Sequence, residues 1–185
     1  MDLRSRITTL TNGLQVITVQ RPSATTAMLC VDVHVGSRYE SAQDAGLSHL
    51  LEHMLFQGSD QHGAPVAINR LAESLGAALN GCTSRDSTRI EHWVSAPHLA
   101  ASAQLVAGLI VAPRFDDLET EREIVIEEAL EEFDETGRRT DPDTLSRRAA
   151  WPESPLGTPI VGELDCLGRF DVEDLRRHHA KHYCA

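Results

Sequence analysis

Gly46-Leu47-Ser48-His49-Leu50-Leu51-Glu52-His53-Met54-Leu55-Phe56 is an amphipathic stretch with glycine and serine near its start. Read as a helix, it places His49, Glu52 and His53 at i, i+3 and i+4, on one face. Two imidazoles one turn apart can grip a single cation. The carboxylate between them then lies close to whatever else that cation holds. The pattern is H-x-x-E-H, the reverse of the H-E-x-x-H zinc helix. Histidine and glutamate suit zinc, and a catalytic zinc site needs a third protein ligand plus one open position.

The flanking sequence predicts the frame that carries this helix. Upstream, Ile7 to Val19 reads as a hairpin, with Asn12-Gly13 supplying a tight turn. Ala27 to Val35 reads as a strand buried on both faces or nearly so, with Cys30 in the core. Downstream, Gly58 ends the motif helix. A second helix runs from Pro65 to Gly76 with Ile68, Leu71, Ala72 and Leu75 on its apolar face. Ala77 to Thr83 and Ser87 to Val94 read as two strands joined by a turn at Ser84-Arg85-Asp86. Helices follow from Pro97 to about Val111, from Asp116 or Asp117 to about Glu135, from Asp141 to Trp151, and from Asp171 to about His182. Pro155 to Gly162 is an irregular loop. Strands come early and in clusters, with helices singly or in pairs between them. That order predicts an α+β fold with a mostly antiparallel sheet.

Composition narrows the function classes. A chain of 185 residues suits one domain with a sizeable core. It has 17 basic against 28 acidic residues, a net charge of -11. Phosphate binding needs a basic surface, so no nucleic-acid partner is expected. An acidic surface favours cationic peptides. No apolar run approaches membrane-spanning length, and Met1-Asp2-Leu3-Arg4-Ser5-Arg6 leads into a strand pattern without the apolar region of a signal peptide. The four cysteines, Cys30, Cys82, Cys166 and Cys184, form no C-x-x-C pair. They read as reduced thiols of a cytoplasmic protein. Trp93 and Trp151 are expected in the core. His178 and His182 are expected to cap a helix end, where the dipole favours cations. His62, His92 and His98 fall in no ligand pattern.

The third ligand is sought in the long acidic helix. Glu119, Glu123, Glu127, Glu131 and Glu132 suit a solvated face. Glu121 and Glu128 lie seven apart on one face, bordering the apolar stripe at Val125 and Ala129. Both are therefore expected to be partly buried, and a buried carboxylate is costly unless it is paired or holds a metal. Spacing alone leaves both open.

The sequence resembles the pitrilysin-type (M16) zinc metallopeptidases, most closely the catalytic half of a bacterial processing protease or of the β subunit of mitochondrial processing peptidase. Five blocks carry the resemblance in order: Thr11 to Val16, Gly36-Ser37-Arg38, Gly46 to Phe56, Asn80-Gly81-Cys82-Thr83, and Glu121 to Glu128. The resemblance implies one zinc per chain, ligated by His49, His53 and Glu128. It implies Glu52 as the general base that takes a proton from water at the metal, and Glu121 as an additional active-site glutamate supporting the ligand shell. Asn80 and Gly81 match the edge strand on which family substrates bind by strand addition; the family usually has alanine at the position of Gly81. The implied activity is hydrolysis of peptide bonds in extended or unfolded peptides.

Family enzymes comprise two similar halves that enclose the substrate. This chain corresponds to one, residues 1–185 forming a single catalytic half-domain. It stops at His182-Tyr183-Cys184-Ala185, where the family pattern continues into another strand. A second half-domain or partner subunit is therefore expected, and the chain alone is expected to bind zinc but cleave poorly. Two other readings compete: a non-catalytic partner subunit or truncated paralogue, and a lyase resembling S-ribosylhomocysteine lyase. That lyase shares H-x-x-E-H on a related fold but takes a cysteine as third ligand, which here would be Cys82 or Cys166.

Overall fold

The computed structural model describes residues 3–184; Met1, Asp2 and Ala185, which the terminal expectations touch, lie outside the described residues. In chain order the elements are β1 (Arg4–Thr9), β2 (Gln15–Gln20), β3 (Thr26–Val33), α1 (Leu47–Leu55), α2 (Pro65–Leu75), β4 (Gly76–Thr83), β5 (Thr88–Ser95), α3 (Leu99–Val111), α4 (Leu118–Leu130), α5 (Pro142–Ala150), α6 (Leu164–Leu167) and α7 (Val172–His182). Among the described residues the pairings between strands are antiparallel, and helices pack on the sheet, so the class is α+β. Among the described residues no helix is long and apolar enough to cross a membrane.

β1 and β2 pair with each other, Ile7 opposite Ile17, and form a sheet separate from the rest. Their turn is looser than Asn12-Gly13 alone suggests. The Leu10 N–H donates to the Leu14 carbonyl at 2.8 Å, and Gly13 adopts φ 94°. Thr11-Asn12-Gly13 is thus the loop, with glycine at its left-handed position. The second sheet has the order β3-β5-β4, which among the described residues leaves β4 with a free edge.

Strand burial departs from expectation for physical reasons. Thr88, Ile90, His92 and Val94 of β5 point inward. Alternation therefore turns Trp93 outward, where it is 53% exposed. His92 holds the core position instead, with Nδ1 2.8 Å from Ser102 Oγ and Nε2 2.9 Å from the Ala77 carbonyl. A buried imidazole is tolerated when both nitrogens are bonded. Trp151, directly after α5, is also exposed. β3 is only half-buried, Cys30 included, with Thr26, Met28 and Asp32 exposed. Among the described residues it pairs on one side alone.

α1 is the centre of the core. Leu47, Leu50, Leu51, Met54 and Leu55 are buried among Ile90, Val125, Ala129, Leu167 and Leu175. Each such leucine contributes about 1.5–3 kcal/mol by leaving water. The start of α1 is held from a distance. The Glu40 carboxylate accepts the N–H groups of Gly46 at 2.9 Å and Ser48 at 2.7 Å, amides that have no partner inside the helix. Gly46 at φ 99° and Gly162 at φ 103° press together. A Cβ built on either would lie 2.7 Å from the other's Cα.

α4 ends at Leu130 rather than near Glu135. The chain doubles back there. The Thr140 N–H donates to the Glu132 carbonyl at 2.7 Å, and Arg139 lies 4.5 Å above the Phe133 ring while pairing with Glu132 and Glu163.

His178 does not cap the end of α7. It is 7% exposed and its Nε2 lies 3.0 Å from Ser48 Oγ, tying α7 to α1. Burial first, and then the neighbouring His182, hold its imidazole down at about 4, against an ordinary 6.5. The unfolded chain therefore takes the proton first, and stability is lost as pH falls from about 6.5 towards about 4. Burial raises Glu40 above its ordinary value, which acts in the opposite sense. Between about pH 7 and about pH 5, His178→Gln is expected to remove an acid-dependent loss of about 2 kcal/mol. Urea midpoints of the metal-free protein at about pH 7 and about pH 5 check this; an unchanged pH slope would contradict it.

Candidate metal centre

α1 and α4 pack face to face and bring three side chains together. His49 Nε2 lies 3.5 Å, and His53 Nε2 3.6 Å, from Glu128 Oε2. One atom from each residue lies within 4.8 Å of the others. These separations are too long for hydrogen bonds. The two histidine-to-carboxylate separations match the edge of a tetrahedron around zinc, whose ligands at about 2.0–2.1 Å sit roughly 3.4 Å apart. The donor set, two imidazoles and one carboxylate, therefore fits zinc.

The protonation states fit as well. Burial first, then the adjacent His53, hold His49 down at about 4, so it is neutral near pH 7. Neutral imidazole is the form that ligates metals. Among the described residues the buried Nδ1 of His49 has no partner at full hydrogen-bond geometry; the Val161 carbonyl pulls its pKa the other way, upward. His53 Nδ1 lies 3.2 Å from Glu121 Oε2. A carboxylate there fixes the proton on Nδ1 and leaves the Nε2 lone pair facing Glu128. Glu121 is itself held by Gln57, whose Nε2 donates to Oε1 at 2.6 Å. Glu121 is 7% exposed. Its buried charge thus has two partners.

Glu52 stands beside this group rather than within it. Its carboxylate turns towards β4, where Thr83 Oγ1 donates to Oε2 at 3.0 Å. The residue is 8% exposed. Burial raises its pKa, opposed by the Thr83 hydrogen bond and by His53. Asn80 and Gly81 lie on the free-edged strand β4, Gly81 half-buried and Asn80 exposed.

The structure thus separates the two glutamates that spacing left open: Glu128 faces the Nε2 atoms and Glu121 the far side of His53. Among the described residues no cysteine joins the group. Gln57 and Thr83 escaped the sequence reading. Both lie inside or beside quoted blocks, but nothing in their spacing pairs them with carboxylates far along the chain.

Residues 15–163 match the family described as Insulinase (Peptidase family M16). The chain is 32% identical over 185 residues to the probable mitochondrial-processing peptidase subunit beta of Arabidopsis thaliana, covering 98% of this chain and 34% of that protein. It is 33% identical over 184 residues to an uncharacterized zinc protease of Mycobacterium bovis, covering 98% of this chain and 41% of that one. The crystal structure of a protease from Helicobacter pylori superposes with a TM-score of 0.87 at 26% identity, over 98% of this chain and 44% of the other. The fold and these matches define the class, an M16-type half in which two helices meet over an antiparallel sheet. The chain belongs to peptidase family M16. It spans between a third and a half of the length of these relatives.

Proposed function

We propose that this chain is the metal-bearing half of a zinc endopeptidase that cleaves extended or unfolded peptides. The convergence of His49 Nε2, His53 Nε2 and Glu128 Oε2, with Glu52 alongside, carries this reading. His49, His53 and Glu128 would hold one zinc ion. When bound, the ion supplies Lewis acidity, which makes water acidic near neutral pH and polarises a peptide carbonyl.

The protein's own groups do the rest. Glu52 takes the proton of the attacking water on its carboxylate and delivers it to the leaving nitrogen. A base whose pKa is raised by burial is closer to the operating pH, which suits both halves of that transfer. Glu121 keeps the His53 proton on Nδ1. The free edge of β4, around Asn80 and Gly81, offers main-chain donors and acceptors to an extended peptide. An open groove beside Glu128 is lined by Glu131, Glu132, Asp141 and Val161. A second M16-type half closes over it. Four free thiols support a reducing compartment, the cytoplasm.

The test is hydrolysis of a quenched flexible peptide by the zinc-loaded chain, alone and with a second half-domain added. Chelator-sensitive cleavage that rises on addition is expected. Stoichiometric zinc without cleavage in either setting would defeat the reading, and equal turnover in both would remove the need for a second half.

A further inference from the structure

Strand β4 carries one residue more than its partner. Gly76 stands opposite Val94 and Leu79 opposite His92, so Ala77 and Ala78 together face Trp93. Two residues against one make a β-bulge. The bulge reconciles two registers. Continued from Gly76 without the extra residue, the strand would set Asn80 opposite Ile90 and Cys82 opposite Thr88. Ile90 and Thr88 point inward, and directly opposed residues share a face. Asn80 and Cys82 would then turn inward, and Gly81 and Thr83 outward. The turn at the other end imposes the second register. There the Ser84 N–H donates to the Ser87 carbonyl at 2.8 Å, and Thr83 stands opposite Thr88. In that register Thr83 faces Glu52 and donates its hydroxyl at 3.0 Å. The place of the extra residue along β4 therefore decides which side chains meet the Glu52 carboxylate and which line the outer face.

We infer that His92 is a positioning residue: it pins the bulge at Ala77 and keeps residues 80–83 in the register of the turn. Its Nε2 lies 2.9 Å from the Ala77 carbonyl and 3.3 Å from that of Ala72. Both partners are acceptors, so Nε2 carries the proton. Nδ1 then accepts from the Ser102 hydroxyl, 2.8 Å away on α3. His92 and Ser102 are both fully buried. One N–H thus spans the last turn of α2 and the second residue of β4, where helix passes into strand with no residue between. The Ala72 carbonyl also takes the Gly76 N–H. Gly76 presses on β5, where a Cβ would lie 2.5 Å from Val94 Cα. Gly76 therefore anchors one side of the bulge, and His92 holds its inward carbonyl. Without that N–H, Ala77 offers the core an acceptor that has lost its donor. The extra residue can then migrate towards Asn80, carrying the register error into the strand beside Glu52. The consequence for peptide binding rests on the peptidase reading above; the pinned register does not.

The test compares hydrogen exchange, read by mass spectrometry, in the parent chain, His92→Leu, His92→Gln and Leu109→Ala. Leucine fills the space but offers no N–H. Glutamine carries an N–H at about the place of Nε2. Leu109→Ala, two turns along α3 from Ser102, controls for lost core packing. In His92→Leu, exchange in residues 76–83 is expected to accelerate by about 10-fold or more, with residues 26–33 of β3 at the parent rate. His92→Gln should recover most of the protection, and Leu109→Ala should not single out β4. Equal acceleration of β3 and β4 would overturn the inference. So would a β4 profile shared by His92→Leu and Leu109→Ala, or a glutamine variant no better protected than the leucine one. If His92→Leu fails to fold, Ser102→Ala takes its place: selective exchange in β4 supports the pin, and a parent-like β4 refutes it. In the activity arm, His92→Leu should raise KM for the peptide several-fold and His92→Gln should restore it. Zinc affinity should hold, because the bonds of His92 go to α2, α3 and β4 rather than to the helices bearing His49, His53 and Glu128. An unaltered KM in a variant with a loosened β4 counts against the inference. A parent chain that cleaves nothing tells against the peptidase reading, and the exchange comparison still decides the pin.

Discussion

Replacing Glu52 by glutamine is expected to lower kcat for peptide hydrolysis by about 10²–10⁴-fold, the usual contribution of a positioned general base. KM and zinc affinity should hold, because the amide has the same shape and the group lies outside the His49, His53 and Glu128 cluster. The amide oxygen can still accept the Thr83 hydroxyl, which now reaches the carboxylate at 3.0 Å. Burial raises the pKa of Glu52, so the folded state pays for its ionised form, and its contribution to stability is lost as pH rises through that raised pKa. A neutral amide escapes this cost. The variant should therefore have a Tm at neutral pH equal to or above that of the parent, as happens when an active-site group is held in an unfavourable setting. Steady-state kinetics, competitive zinc titration and calorimetry on one preparation check all three. Retained turnover would remove Glu52 from the chemistry.

The second large effect separates the two glutamates of α4. Glu128→Ala deletes the oxygen that stands 3.5 and 3.6 Å from the two Nε2 atoms. Zinc affinity should fall by more than the ~10–100-fold typical of losing an outer partner of a ligand. Glu121→Gln should fall within that range, because it weakens only the hold on His53 Nδ1, now 3.2 Å from Oε2. Gln57→Leu should follow Glu121→Gln in direction, since Gln57 orients the same carboxylate at 2.6 Å. Isothermal titration with zinc, or competition against a chromophoric chelator, gives the ranking. If Glu121→Gln costs more than Glu128→Ala, the assignment of the third ligand is reversed.

The contrast between these residues shows what a sequence makes legible. His49, Glu52 and His53 could be read because helix geometry turns a spacing of three and four into a shared face. Glu121 and Glu128 could be narrowed to a pair by the same rule, but their division of labour depends on how α4 lies against α1. Thr83 lies 31 positions from Glu52 and Gln57 64 from Glu121, distances over which spacing carries no geometric information. The α+β class was legible from the order of strand and helix patterns. The placement of Trp93 was not. A tryptophan next to a histidine invites the larger apolar ring inward, yet His92 takes the core because Ser102 and the Ala77 carbonyl satisfy both its nitrogens. Likewise α4 stops early because of a return loop clasped by Arg139, Phe133 and Glu132, a tertiary event with no local signal.

The contact between Gly46 and Gly162 has a consequence for how this chain can evolve. Each residue already has the smallest side chain, and each sits at a positive φ. A methyl group on either would strike the other's backbone. Most tight contacts can be relieved by shrinking the neighbour after one member grows. Here the neighbour has nothing left to shed, so no reciprocal change at the other position compensates. The two sites form a mutational lock, released only by a backbone shift that would carry the start of α1, and His49 with it, out of register with α4.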